Sequence, residues 1–224
     1  MKVISLISIL IFSFQSLARN SGSSNRYQLL SGVKKSRDLK TYWDKKYRNP
    51  RYVYGKAPAK FLANNFHYIS PGSTVLDMGM GEGRNAVFLA LKGHNVTGID
   101  ISSVAVKKSR KLAREFGVRI KTVVASLSKY KISPGSFDAI ICFYYVDRAL
   151  IEKMKTWLKP GGIIIFEAYT DLQRNVRNFE NYSKKFLLRQ GELLNLFKGM
   201  KILKYQEPLH LNEFTSSLII QKPE

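Results

Sequence analysis

The sequence predicts an α/β chain on a doubly wound, mostly parallel sheet of seven strands, with one antiparallel strand near the carboxyl end. Three observations carry this. Short apolar runs alternate with amphipathic runs from about residue 73 to 169, the strand–helix rhythm of a parallel sheet. Two of the runs, FDAIICFY (137–144) and GIIIFEAY (162–169), are almost wholly apolar, as strands covered on both faces are. The last two, MKILKYQE and FTSSLIIQK, are joined only by PLHLNE, which is hairpin length and implies an antiparallel member.

At the amino end, MKVISLISILIFSFQSLA has Lys2, an apolar run over 3–14 and then Ser16-Leu17-Ala18. These are the parts of an export leader. The run is short of the roughly 20 residues that span a bilayer. Three readings stand: a cleaved leader, a retained anchor at 1–18, and a false start or idle apolar tail. If the segment is retained, Arg19, Arg26, Lys34, Lys35 and Arg37 outnumber Lys2 and keep the domain in the cytoplasm.

Residues 19–37 are basic and Gly/Ser-rich, a flexible linker, so the folded domain is expected over 38–224. Asp38 is placed to cap a helix through Lys46, which Pro50 ends. YVYG (52–55) is a turn, and Pro58 sits where a helix over AKFLANNF would begin. STVLDM (73–78) is a strand, GRNAVFLALKG a helix stopped by Gly93, and NVTGID (95–100) a strand. Ser102 caps a helix over 103–116, and Gly117 stops it. RIKTVVA (119–125) and 137–144 are strands. A helix over 147–158 stops at Lys159-Pro160-Gly161-Gly162, ahead of the strand at 162–169. A polar stretch (170–186) then leads to a short helix, QGELLNLF, and the closing hairpin.

The 224 residues suit one domain with short extensions. The net charge is +21, and residues 1–60 hold thirteen Lys/Arg against two acids, Asp38 and Asp44. Such a balance favours anionic partners, and it equally serves solubility. Cys142 is the only cysteine; it excludes an internal disulfide and a Cys metal cluster. His67, His94 and His210 have no metal-ligand spacing, so no metal is expected.

Ligands of doubly wound sheets bind beyond the carboxyl ends of the strands. Residues 78–84, Asp100, 125–127 and 143–146 fall there. Gly79, Gly81 and Gly83 form G-x-G-x-G, with Asp77 two positions ahead. A dinucleotide loop reads G-x-G-x-x-G, and here Arg84 fills the place of its last glycine. Asp100 is placed to accept from ribose hydroxyls, and would serve NAD as well.

The pattern D-x-G-x-G-x-G, from Asp77 to Gly83, resembles motif I of the class I S-adenosylmethionine-dependent methyltransferases, which are Rossmann-like. GSFDAIICFYY is similar to that family's fourth-strand motif and LKPGGIIIFEAY to its fifth. The matches cover about residues 72–170. The resemblance implies S-adenosylmethionine as cofactor and S-adenosylhomocysteine as product. The loop would pack against the cofactor's amino acid part and Asp77 would orient its ammonium. Ile101, Leu127 and Phe143 complete the expected cofactor set.

YWDKKYRNPRYVYGKAPAKFL, GEGRNAVFLALKGHNVTGIDIS and EAYT followed by FLLRQGELLNLF are similar to the tellurite-resistance and thiopurine-type branch. That branch methylates small molecules and closes an amino-terminal segment over the cofactor, which adds Tyr52, Tyr54 and Gly55 to the candidates. One position departs from the family. The third strand ends VVASLS, with Ser126 where a carboxylate usually meets the adenine amino group. Ser126 and the Leu127 backbone are left to contact the base, and cofactor affinity is the property put in question.

Methyl transfer from a sulfonium is an in-line displacement governed by positioning. A thiolate or chalcogen anion needs little or no base, whereas an amine or hydroxyl needs a proton acceptor. The fourth strand ends Phe143-Tyr144-Tyr145, without the Asn/Asp-Pro-Pro-aromatic signature of many amino-group methyltransferases. Tyr144 or Tyr145 would present a ring face to the sulfonium, favourable by roughly 0.5–2 kcal/mol, or else pack the sheet edge. Arg84 opens a helix, where the dipole disfavours a cation. It is expected to hold the cofactor carboxylate or an anionic substrate, or to make an outward ion pair. Arg148, Glu167, Tyr169 and Arg189 are expected near the mouth, with Glu167 as a base or as a structural partner of a cation.

The function expected is methyl transfer to a small-molecule acceptor, in a monomer or homodimer. Two rivals stand beside it. The basic surface would dock RNA or another polyanion as substrate, or residues 1–18 would tether a SAM-binding module without turnover to a membrane. The leader points outward, but the donor is made in the cytoplasm, so a cytoplasmic site, tethered at the inner membrane face if 1–18 is retained, is expected.

Overall fold

The computed structural model describes residues 36–224 apart from 181 and 209–212. The leader at 1–18 lies outside the described residues, as does most of the 19–37 linker. The first helix, α1 (Ser36–Tyr47), begins two residues before the expected boundary and carries Asp38 inside it rather than as its cap. Among the described residues no helix is long and apolar enough to cross a membrane.

The seven strands are β1 (Thr74–Met78), β2 (Asn95–Asp100), β3 (Lys121–Val124), β4 (Phe137–Phe143), β5 (Leu158–Tyr169), β6 (Lys201–Gln206) and β7 (Thr215–Gln221). They form one sheet in the order β3-β2-β1-β4-β5-β7-β6. All pairs from β3 to β5 are parallel. Only β7 runs against its neighbours β5 and β6, so the single antiparallel strand is where the sequence puts it. The strand order reverses between β1 and β4. The loops leaving these two strands turn to opposite faces and open a crevice between them.

The sheet is covered on both sides, which explains the near-continuous apolar runs. Along β1, β4 and β5, Leu76, Met78, Ile140, Cys142, Ile164 and Phe166 face one cluster. Val75, Ala139, Ile141, Ile163 and Ile165 face the other. This is the two-residue period of a strand. The first face packs on α5 (Ile151–Trp157) and α6 (Glu192–Leu196), through Met154, Trp157 and Leu193. The second packs on α2 (Lys60–Asn65) and α3 (Arg84–Leu91), through Phe61, Leu62, Ala86 and Leu89.

Helix α4 (Ser103–Glu115) starts as expected: the Ser102 side chain accepts the Ala105 N–H at 3.1 Å. Other boundaries differ. Pro58 lies ahead of the helix, whose N-cap is Ala59, and Phe66–Tyr68 tightens to a 3₁₀ turn. The expected helix at 147–158 is a 3₁₀ turn (Arg148–Leu150) followed by α5, and Leu158 already belongs to β5. Lys159-Pro160-Gly161-Gly162, expected to be a stop, is strand. The chain bulges between the pairs Phe137↔Leu158 and Ala139↔Ile163. A Cβ on Gly162 would meet the Asp138 carbonyl at 2.9 Å, so a bulge glycine keeps the ladder running.

Candidate active site

A cavity of about 600 Å³ lies over the carboxyl ends of β1 to β4. Its floor is the loop from β1 to α3. The Gly79 and Met80 N–H groups donate to the Ile99 carbonyl at 2.9 and 3.2 Å, which ties the loop to β2. Met80 leans over Gly98, where a Cβ would stand 2.0 Å from its sulfur. Gly79 and Gly81 have φ of 66° and 55°, a backbone that favours glycine. Both line the cavity. Gly83 does not. Its Cβ would meet Ser109 of α4 at 2.6 Å, so it is the glycine that lets α3 and α4 pack closely, and its expected cofactor role becomes a packing role.

Two carboxylates face this floor. Asp77 is 2% exposed, and its Oδ2 is buried without a hydrogen-bond partner. Burial pushes its pKa up to about 7; Asp100 adds to the rise, and Arg84 opposes it. A buried carboxylate oxygen without a partner, on a residue that lines a cavity, calls for a cationic partner. Asp100 accepts the Gly81 N–H on Oδ2 and the Ser102 N–H on Oδ1, both at 2.8 Å. Burial raises it to about 6 despite these bonds. It therefore shapes the glycine loop as well as facing the cavity. Ile101, Ser126 and Leu127 continue the wall. The Ser126 and Ser128 hydroxyls lie 2.9 Å apart and share a hydrogen bond.

The opposite wall comes from the end of β4. Phe143, Tyr144 and Tyr145 all line the cavity. Tyr144 has φ of 58°, a left-handed backbone that costs a bulky residue about 1–3 kcal/mol. Glu167 holds it there twice. The Tyr144 N–H donates to the Glu167 carbonyl at 2.7 Å, and its hydroxyl donates to Glu167 Oε1 at 2.9 Å. Glu167 Oε2 accepts the Ser217 hydroxyl at 2.8 Å. Glu167 is 6% exposed and raised by burial. It stands behind Tyr144, not at the mouth as expected. Tyr145 packs over Gly79, where a Cβ would meet its ring at 3.1 Å.

Arg84 points inward. Its Nη1 donates to the Tyr54 carbonyl at 3.2 Å, and its guanidinium lies 5.7 Å from the centre of the Tyr144 ring. Among the described residues it makes no outward ion pair. The Tyr169 ring lies tilted by 40° against Tyr144, 4.8 Å between centres, and Tyr182, Lys185 and Glu213 close this end.

Other candidates resolve differently. Arg148 reaches the cavity, but its guanidinium is engaged by Glu192 at 2.6 and 2.8 Å and by the Lys185 and Leu187 carbonyls. Arg189 is exposed beside Glu192. Tyr54 and Gly55 line the cavity. Tyr52 instead packs between the Lys56 and Lys108 ammonium groups. Sequence reasoning missed Trp43 and Tyr47, stacked 5.5 Å apart, which bring α1 over the glycine loop. Tyr47's hydroxyl lies 2.9 Å from where a Gly81 Cβ would be. The aromatic pair in TYWDKKY was the available signal.

The residues present fit S-adenosylmethionine. The open Asp77 oxygen suits its amino group, Asp100 suits sugar hydroxyls, and the glycines leave the floor bare of side chains. The fold is the Rossmann-like one that S-adenosylmethionine-dependent methyltransferases share, and the floor has the groups to receive such a cofactor. Residues 75–162 match the family model described as "Methyltransferase domain".

More particular relatives are of two kinds. A ubiquinone biosynthesis O-methyltransferase of Chromobacterium violaceum is 31% identical over 119 residues, half of each chain. The chain thus spans about half the length of the curated relatives it matches. Among solved structures, TehB from Haemophilus influenzae superposes with a TM-score of 0.61 at 22% identity, over 82% of this chain and 66% of that one. The cyclase SpnF gives 0.67 at 16%, over 85% and 98%. These likenesses show a shared fold, and SpnF shows that the fold does not dictate one reaction.

Proposed function

We propose that the chain transfers the methyl group of S-adenosylmethionine to a small-molecule acceptor. The observation that carries this is the ring-lined, cationic end of the cavity, where Arg84 and Lys185 stand among Tyr144, Tyr169 and Tyr182. Its overall volume is that of a small-ligand site. When bound, S-adenosylmethionine supplies a methyl group already activated on a sulfonium. The chain's own residues do the rest. Asp77 and Asp100 hold and orient, and the rings of Tyr144 and Tyr145 exclude water and present their faces to the cation. A thiolate or chalcogen anion needs no base here. An oxygen acceptor would give its proton to Glu213, or to the Tyr144 oxygen as that hydroxyl passes its own proton to Glu167.

The names of the relatives guide the choice of acceptors. Transfer of labelled methyl is measured against thiols, chalcogen oxyanions, phenols and RNA. Methylation of one of the small molecules is expected. Transfer to RNA alone, falling steeply with salt, would replace the reading, and absence of cofactor binding in calorimetry would remove it. The reading also puts the domain on the cytoplasmic side, where the donor is made. Amino-terminal sequencing of the mature protein should not begin at Arg19.

A further inference from the structure

The glycine loop is joined to the amino-terminal segment by side chains. Glu82, between Gly81 and Gly83, is 4% exposed. Its Oε2 accepts the Val53 N–H at 2.7 Å, and the carboxylate pairs with the Lys108 ammonium. That ammonium also donates to the Asn49 and Arg51 carbonyls at 2.9 and 2.8 Å. Two neighbours in the same motif add to this. Arg84 holds the Tyr54 carbonyl, and Asn85 Oδ1 accepts the Ala59 N–H at 2.9 Å. Of the motif G-E-G-R-N, Gly81 shapes the floor and Gly83 lets α3 pack on α4, while Glu82, Arg84 and Asn85 grip residues 53–59.

That segment needs such ties. Between α1 and α2 it buries only Val53 and Ala59, and it reads RNPRYVYGKAP, with little to pack. Yet it presents Tyr54 and Gly55 to the cavity. A buried ion pair roughly breaks even against its desolvation, so the Glu82–Lys108 pair adds little to overall stability. Its effect is on position.

We infer that Glu82 and Lys108 are positioning residues that latch the amino-terminal cover onto the cofactor loop and set how long the cofactor stays bound. The inference rests on the cofactor reading of this cavity. With the latch intact, the cofactor leaves only when residues 49–59 lift, a local opening of the kind that often limits turnover. With the latch broken, the cover lifts more often while the floor keeps its shape.

The test compares the full chain with Glu82→Gln, with Lys108→Met and with the double variant, which leaves no lone buried charge. Stopped-flow fluorescence of Trp43 follows cofactor association and release, and hydrogen exchange of residues 49–59 is read without cofactor. The double variant should release S-adenosylmethionine about tenfold faster, with association changed by less than about twofold and kcat not lowered. Its 49–59 amides should exchange faster in the free protein. Lys56→Ala removes an ion pair to Glu115 on the same segment and should leave both readouts unchanged. A folded double variant with wild-type release and wild-type exchange overturns the inference, as does equal acceleration by Lys56→Ala. If wild type binds no cofactor, the site reading fails, and the exchange experiment still judges the latch.

Discussion

The two ends of the cavity are built in opposite ways. At the β1–β2 end, Asp77 and Asp100 come from neighbouring strands, and Asp100 is fixed by two backbone N–H groups at 2.8 Å. At the β4–β5 end, the wall is rings and long side chains drawn from positions as distant as Arg84, Tyr144, Tyr182 and Glu213. The first end is set by backbone geometry, with the Gly81 and Ser102 N–H groups fixing Asp100. The second is set by side chains on β4 and the loops around it, and can change its substrate without disturbing the fold. On the proposed function the first end is the cofactor floor and the second the acceptor wall.

The comparison breaks most readily at Asp100. Asp100→Ala removes both loop bonds and the carboxylate, so S-adenosylmethionine binding should weaken about 100-fold or more by calorimetry. A loss as small as that of an acceptor-wall variant would erase the contrast.

Next is Gly83→Ala. The new Cβ would stand 2.6 Å from Ser109 at a φ of 86°, so stability should drop by about 2 kcal/mol in denaturant unfolding. The midpoint should fall without a selective loss of cofactor affinity at saturating occupancy.

A third prediction concerns pH. Burial leads the causes that raise Asp77 to about 7 and Asp100 to about 6. Both lie above their unfolded values, so the free fold holds extra protons. That contribution to stability is full below about pH 4 and is lost as pH rises through 6 to 7. Cofactor binding runs the other way, because Asp77 must be ionised to pair with an ammonium. Affinity should fall about tenfold per unit below pH 6, peak between about 7 and 8, and decline again above 8 as the ligand's own ammonium loses its proton. The melting temperature of the free protein should decline over the window in which the cofactor-induced rise in melting temperature grows.

The smallest effect is expected at the acceptor end. Tyr144→Phe keeps the ring and loses the bond to Glu167, worth about 1.5 kcal/mol. It should lower kcat several-fold and leave cofactor affinity unchanged.

The same division decides what was legible in the sequence. NVTGID is β2 residue for residue, Ser102 is the cap, and the glycine loop sits where Asp77 and its spacing put it, because each is governed by local chemistry. Lys159-Pro160-Gly161-Gly162 misled because proline and glycine usually end elements, whereas here the bulge opposite Phe137 absorbs them. Gly83 looked like a ligand glycine because its contact, Ser109, lies a helix away. Glu167 was expected at the mouth, as a base or a cation's partner, since nothing near it in sequence shows that Tyr144 would cross in front. Arg148 was expected near the mouth, and its engagement there was hidden for the same reason: its partner Glu192 is 44 positions on. Trp43 was readable as a helix residue but not as a roof, and Tyr47 lies one residue past the expected helix end at Lys46.

The strand order has a consequence during synthesis. β7 is made after β6 yet sits between β6 and β5. Until residues 215–221 leave the ribosome, β6 has no strand to pair with, and one edge of β5 is open along Ile163, Ile164 and Ile165. A nascent chain paused before that point carries a long, apolar, unpaired edge, the kind of surface on which chains stick to one another or to a chaperone. The last strand inserted is therefore also the one that ends this exposure.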